Sequence, residues 1–195
     1  MKYSIIVCIH EESGGIGKNN NLLFRLKDEL KYFKDTTTKT KNENNQNAVI
    51  MGYNTWKSIP SKFRPLDNRI NIIMSCTHYD NVVSEIINID NTYVFKTINE
   101  CVEFTKTSNN IETTFIIGGE SIYNAFIDMN IVDMYYITKI MNQIEYNCDS
   151  FFPKIKYEEL KKIDNNIVKS EKDSFEIVTK DKKEVFYKFC VYKKI

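Results

Sequence analysis

The 195-residue chain contains six glycines, and they fall in three places. Gly14, Gly15 and Gly17 follow the apolar run Ile5–Ile9, Gly52 follows Val49-Ile50-Met51, and Gly118-Gly119 follow Phe115-Ile116-Ile117. Each group stands just past the C-terminal end of an apolar run. In open α/β sheets, that rim is where ligands bind. Glycine lets the backbone approach a ligand closely, and a helix that starts there presents N–H groups to phosphate. Gly52-Tyr53-Asn54-Thr55-Trp56 offers one helix start, with Asn54 or Thr55 expected as its cap. Gly118-Gly119-Glu120-Ser121 offers a second. Two phosphate-ready helix starts on one rim point to a dinucleotide. Gly52 alone would serve equally as a strand terminator; the Gly-Gly pair between strand and helix is read as functional. A Walker loop fails because Gly17-Lys18 is followed by Asn19 and has no upstream glycine, and Gly15-Ile16-Gly17 does not continue into a G-x-G-x-x-G fingerprint.

The second candidate for chemistry is an acid. In Arg25–Lys34, the helical period places Leu26, Leu30 and Phe33 on one apolar stripe, with Asp28 opposite. Glu29 falls on the flank of that stripe. A carboxylate held against apolar groups has its charged form disfavoured unless it is paired. Such a group can bind a cationic heterocycle or take part in proton transfer. An ordinary glutamate in water, or one paired with Arg25, fits the same wheel, so the wheel alone does not select a role.

Short apolar runs alternating with helical stretches must position these residues. Strands are expected at Tyr3–Ile9, Ala48–Met51, Ile70–Met74, Tyr93–Phe95, Thr114–Ile117 and Met134–Thr138, and helices at Leu26–Asp35, Thr55–Ile59, Ile98–Thr107 and Glu120–Phe126. Continuous apolar strands separated by helices imply a mainly parallel sheet covered on both faces. Phe175–Thr179 and Val185–Tyr192 flank the polar turn Lys180–Lys183 and read as an antiparallel hairpin. The expectation is a single α/β domain over residues 1–195, with a mainly parallel central sheet, an antiparallel C-terminal hairpin and helices on both faces. The polar stretch Thr36–Asn47 reads as a surface loop.

Composition narrows the function classes. The net charge of +1 supplies no electrostatic surplus for nucleic acid or an acidic membrane surface. The apolar runs are too short to span a bilayer, and the start Met-Lys-Tyr-Ser has no signal-peptide layout. Five scattered cysteines without a C-x-x-C pair, and two distant histidines, argue against zinc or a disulfide framework, so no metal is expected and a reducing compartment fits.

Taken together, the motifs resemble dihydrofolate reductase. The resemblance runs in order from Ser4 to Lys193. It is carried by Ile5–Ile9 with Gly15-Ile16-Gly17-Lys18-Asn19, by Asp28-Glu29-Leu30-Lys31-Tyr32-Phe33, and by Met51-Gly52-Tyr53-Asn54-Thr55-Trp56-Lys57-Ser58-Ile59-Pro60. Arg64-Pro65-Leu66-Asp67-Asn68-Arg69-Ile70-Asn71, Ile116-Ile117-Gly118-Gly119-Glu120-Ser121-Ile122-Tyr123, Ile137–Ile140, Asp149–Pro153 and Tyr187–Tyr192 extend it. The resemblance implies hydride transfer from NADPH to dihydrofolate, with Glu29 as the acid and Thr138 hydrogen-bonded to it. It implies a substrate site of Ile6, Val7, Cys8, Leu22, Phe33, Ile59 and Leu66, with Arg69 gripping a carboxylate of the glutamate tail. It implies a cofactor site of Cys8, Ile16, Gly17, Lys18, Gly52, Asn54, Thr55, Ser75, Cys76, Lys96, Ile117, Gly118, Gly119, Glu120, Ser121, Ile122 and Tyr123. The loop Glu11–Phe24 is expected to close over the site. A cytoplasmic monomer is expected, with no nucleic-acid or membrane partner.

Two departures stand out. The family's Leu-Pro-Trp is Leu22-Leu23-Phe24 here, so an indole N–H donor is missing and slower turnover or altered substrate grip is expected. Two positions where the family places basic residues for the cofactor's 2′-phosphate hold Tyr53 and Cys76, leaving Lys96, with Lys57 or Lys62 as substitutes. NADH is therefore a second candidate donor. Three alternatives remain open on sequence: a non-catalytic folate- or nucleotide-binding member of the fold, a reductase of another pterin or pyrimidine intermediate, and one half of a fusion with thymidylate synthase.

Overall fold

In a computed structural model, residues 2–142, 147–163, 168–172 and 184–195 are described. Aliphatic runs with no polar alternation become strands covered on both faces, as parallel sheets require. β1 (Lys2–His10) is buried at every residue but Lys2 and the half-buried Cys8. The small strands β2 (Gly15–Lys18) and β3 (Asn21–Leu22) follow, then α1 (Lys27–Thr38), β4 (Gln46–Gly52) and α2 (Tyr53–Ser58). Next come β5 (Arg69–Met74), α3 (Tyr79–Ile86), β6 (Thr92–Phe95), α4 (Ile98–Thr107), β7 (Ile111–Ile116) and α5 (Glu120–Asp128). The chain continues as β8 (Val132–Ile140), β9 (Ser150–Phe151), β10 (Leu160–Lys162), β11 (Val168–Lys172) and β12 (Glu184–Lys194).

A nine-stranded sheet runs β10-β12-β8-β1-β7-β4-β5-β6, with β11 also on β12. β8 through β6 are parallel; β12 is antiparallel to β8, β10 and β11. The expected α/β architecture with its antiparallel end is therefore present. β10 and β11 pair with β12, while the expected hairpin partner Phe175–Thr179 and the turn Lys180–Lys183 lie outside the described residues. The central register places Ile5 beside Ile116 and Tyr135, and Cys8 beside Thr138.

Three local expectations need correction. The helix α3 was not anticipated, because its eight residues hold only two buried apolar anchors, Val82 and Ile86. Leu30 does not join a buried stripe with Leu26: it is 38% exposed, against 1% for Leu26. The stretch Thr36–Asn47 is not a loop throughout, since α1 extends to Thr38 and β4 begins at Gln46. Both Thr37 and Asn47 are buried. Asn47 donates to the carbonyls of Thr37 and Lys39 at 3.1 and 2.9 Å and accepts the Thr113 N–H at 3.1 Å. Buried polar groups need such partners, and here they close the base of the remaining surface turn.

Candidate active site

The glycine groups do meet at one rim. β4 and β7 are neighbours, and the Gly52 amide donates to the Gly118 carbonyl at 2.8 Å. Both helices start on glycine: Gly52 is the residue before α2 and Gly119 the residue before α5, and neither has a side-chain cap. The expected caps Asn54 and Thr55 lie inside α2 instead. The first N–H groups of a helix have no partner within it, so two uncapped starts lie side by side. A Cβ on Gly119 would stand 3.5 Å from the Thr55 hydroxyl, and one on Gly52 3.2 Å from Ile122. The backbones are close enough that side chains would fill the space between them. Gly118 and Gly119 are joined by a cis peptide bond.

These starts border a cleft of about 810 Å³, within the range of small-molecule and cofactor sites. Of the residues expected at a dinucleotide, all but Lys96 line it. Lys96 is exposed, with its Nζ 4.6 Å over the Tyr79 ring. Val7, Cys8 and Leu22 line the cleft too. Its size, its paired helix starts and the absence of side chains at Gly52 and Gly119 fit a dinucleotide.

The loop after β1 is built rather than loose. β2 and β3 form a hairpin around Asn19 and Asn20, both at positive φ, 49° and 58°. Two left-handed residues are what a type I′ turn requires, and asparagine tolerates them. β2 pairs on its other side with β9, which sequence reading missed. Asp149 accepts the Asn19 N–H at 2.7 Å, and Glu120 of α5 accepts the Phe151 N–H at 2.9 Å. Asn20, Asn21, Asp149 and Ser150 thus join the cleft lining. Asn19-Asn20 between the strands was the available signal; β9 has only two residues and gave none.

Glu29 and Thr138 come together as expected. The Thr138 hydroxyl donates to a Glu29 carboxylate oxygen at 3.4 Å; Thr138 is buried and Glu29 half-buried. β8 delivers Thr138 beside Cys8 of β1, and α1 delivers Glu29. Tyr123 lies near them: burial, then the nearby Glu29 carboxylate, push its phenol above the ordinary range. It therefore stays protonated and donates to the Ile6 carbonyl at 3.0 Å.

The remaining expected substrate residues form a second group. Ile6 is buried in an apolar cluster with Trp56, against which Phe33, Ile59 and Leu66 pack. Arg69 is 5% exposed, 5.9 Å from the Phe33 ring. Its Nε–H donates to the Asp67 carbonyl at 3.0 Å and one terminal nitrogen to Thr37 at 2.8 Å. Burial lowers its pKa to about 10, opposed by Asp67. A buried guanidinium is stabilised by an anion.

Phe24 packs in a buried cluster with Leu23, Leu26, Ile140, Val185 and Tyr187, while Leu22 is 53% exposed. Among the described residues, no cluster of three His, Cys, Asp or Glu side chains could hold a metal, and no helix is long and apolar enough to cross a membrane.

Comparison with known proteins agrees with this geometry. Residues 3–187 match the dihydrofolate reductase family. The chain is 36% identical over 181 residues to the dihydrofolate reductase of Heliothis virescens, covering 93% of this chain and 91% of that one. It is 34% identical over 195 residues to the dihydrofolate reductase of Schistosoma mansoni, covering 98% and 96%. It is also 31% identical over 175 residues to the bifunctional dihydrofolate reductase-thymidylate synthase of Glycine max, covering 85% of this chain and 32% of that one. A match across this much of the chain, with paired helix starts on the rim and an acid beside the cleft, leaves one conclusion: the chain belongs to the dihydrofolate reductase family.

Proposed function

We propose that the chain reduces 7,8-dihydrofolate to 5,6,7,8-tetrahydrofolate, with Glu29 as the active-site acid. The observation that carries the reading is the Glu29–Thr138 pair beside a glycine-rimmed cleft. A bound nicotinamide dinucleotide supplies the hydride. The chain's own residues do the rest. Glu29 accepts the amino and ring N–H groups of the pterin and promotes protonation of N5 through water. Thr138 fixes the carboxylate. Ile6, Val7, Phe33, Ile59 and Leu66 exclude water from the ring, and Leu22 covers it. Arg69 takes a carboxylate of the glutamate tail, with Thr37 and Asp67 holding its fork in place. The Gly118-Gly119 turn and the starts of α2 and α5 position the dinucleotide. The enzyme acts as a single domain and a monomer in the cytoplasm, and uses NADPH, with NADH as a weaker alternative.

The test is a steady-state assay with dihydrofolate and each reduced cofactor. Turnover that disappears in Glu29→Ala supports the reading; folded parent protein that binds dihydrofolate without reducing it would favour a binding module instead.

Two further outcomes are expected. Arg69→Leu raises KM for dihydrofolate by about tenfold to a hundredfold with kcat changed little, because a charged bidentate contact worth about 1.5–3 kcal/mol is lost in ground and transition state alike. Equal KM values in variant and parent would remove Arg69 from the site. Phe24→Trp supplies the indole donor that the family has at this position and tightens substrate or speeds turnover by about two- to tenfold, the range of one hydrogen bond. Its cost is overpacking of the Phe24 cluster, about 1–3 kcal/mol by denaturant titration. Unchanged kinetics would show that the missing indole N–H is immaterial.

A further inference from the structure

The histidine at the end of β1 has no part in the chemistry above, yet it is buried and bonded through both ring nitrogens. His10 is 3% exposed. Its Nε2 lies 2.9 Å from the Asn142 carbonyl oxygen, which can only accept, so Nε2 carries a ring proton. Its Nδ1 lies 2.8 Å from the Ser13 hydroxyl and 3.4 Å from the Ser13 amide, which can only donate. Nδ1 therefore accepts from the Ser13 hydroxyl, whose oxygen in turn accepts the Gly15 N–H at 3.2 Å.

The two ends of this chain of bonds belong to different parts of the molecule. Asn142 is fixed on the sheet: its Nδ2 donates to the Glu184 carbonyl at 2.9 Å and its Oδ1 accepts the Phe186 N–H at 2.8 Å, both on β12. The other end is the turn after β1. Glu11, Glu12 and Ser13 are exposed and bury no apolar side chain, so packing does not set the shape of this turn. Hydrogen bonds and ion pairs do. Glu11 is held by Lys188 at 2.9 Å, and the Gly14 N–H donates to the His10 carbonyl at 2.8 Å. Gly15 is buried, and an added Cβ there would overlap the Cys148 sulfur, so the turn must arrive at one place. Directly beyond it, Ile16 and Gly17 line the cleft.

We propose that His10 is a positioning residue for the reduction: through Ser13 and Gly15 it sets where Ile16 and Gly17 stand against the bound dinucleotide. This inference rests on the reductase reading above. Sequence reading set His10 aside as a histidine without a metal pattern, because its partners lie 3 and 132 residues away.

The test compares the parent with Ser13→Ala, Ser13→Thr, His10→Gln and the double variant Ser13→Ala/His10→Gln. Ser13 is exposed, so Ser13→Ala reads the bond even where a change at buried His10 prevents folding. Three quantities are measured: hydrogen exchange of the Ser13–Gly17 amides in protein without ligands, the rate of NADPH release, and KM for dihydrofolate. In Ser13→Ala these amides exchange faster and NADPH leaves about three- to tenfold faster, the scale of one hydrogen bond, while KM for dihydrofolate stays within about twofold. Ser13→Thr keeps the hydroxyl and behaves as the parent. His10→Gln reproduces Ser13→Ala, and the double variant is no worse than either, because both changes remove the same bond. Unchanged amide exchange or NADPH release in Ser13→Ala, additive effects in the double variant, or an equal loss of dihydrofolate binding overturns the proposal and leaves the reductase reading standing. A folded parent that binds no NADPH overturns the reductase reading, and the inference falls with it.

Discussion

Glu29→Ala lowers kcat/KM for dihydrofolate by about a hundred- to ten-thousandfold, the range set by a positioned acid. The Thr138 hydroxyl donates to this side chain at 3.4 Å. Removing it takes away both the partner of the pterin N–H groups and the group that favours a proton at N5. Glu29→Gln separates these roles: an amide keeps an acceptor but has no acidic proton, so binding survives better than turnover. Thr138→Val leaves the carboxylate and removes only its donor, so a loss of about tenfold or less is expected, the scale of one long hydrogen bond. Folding stability should change little in Glu29→Ala, because a half-buried carboxylate beside apolar groups contributes little to the folded state. Kinetics at saturating cofactor, alongside a thermal melt, check both halves. Parent-like turnover in Glu29→Ala would refute the role assigned to the acid.

The second large effect is at Gly118. Its φ of +105° lies where side chains are strained, and an added Cβ would meet the Tyr123 ring at 3.0 Å. Tyr123 cannot simply swing away, since it is 4% exposed and its hydroxyl is bonded to the Ile6 carbonyl. The backbone term alone is about 1–3 kcal/mol, and the clash adds to it. Gly118→Ala is therefore expected to lower stability by at least that amount in denaturant titration. It is also expected to weaken cofactor binding by more than about tenfold, because the displaced turn carries the start of α5. Tyr123→Leu in the Gly118→Ala background relieves the clash but not the φ, so rescue should be partial. Parent-like stability and cofactor affinity in Gly118→Ala would show that the turn tolerates a side chain.

How much of this was legible beforehand depends on what each residue's signal was made of. The strands β1, β4, β5 and β7 contain the short apolar runs Ile5–Ile9, Ala48–Met51, Ile72–Met74 and Phe115-Ile116, and such runs announce buried parallel strands without help from tertiary context. The glycine rim was legible because the residues were few and each group followed such a run. Glu29 was only half legible: the wheel put it on a flank, and Thr138, 109 residues away, decides its surroundings. The cap of α2 was misread because asparagine and threonine are good caps in general, whereas here Gly52 precedes the helix and Asn54 and Thr55 sit within it. The small strands β9, β10 and β11 are edges, defined by the strand beside them rather than by their own composition. Thr37 and Asn47 were hidden inside a polar stretch, and nothing local separates a buried asparagine from an exposed one.

The Asn47 clamp has a consequence for how this chain can vary. By bonding to Thr37, Lys39 and Thr113 it fixes where α1 ends and β4 begins. Thr37 in turn holds Arg69. The turn beyond the clamp, Thr40 to Asn45, therefore has anchored ends. Lengthening it costs only the slowly growing entropy of closing a longer ring, about 0.6 kcal/mol for each doubling. Insertions and runs of asparagine can accumulate there without reaching the guanidinium, and drift in that tract is insulated from the site by a single amide side chain.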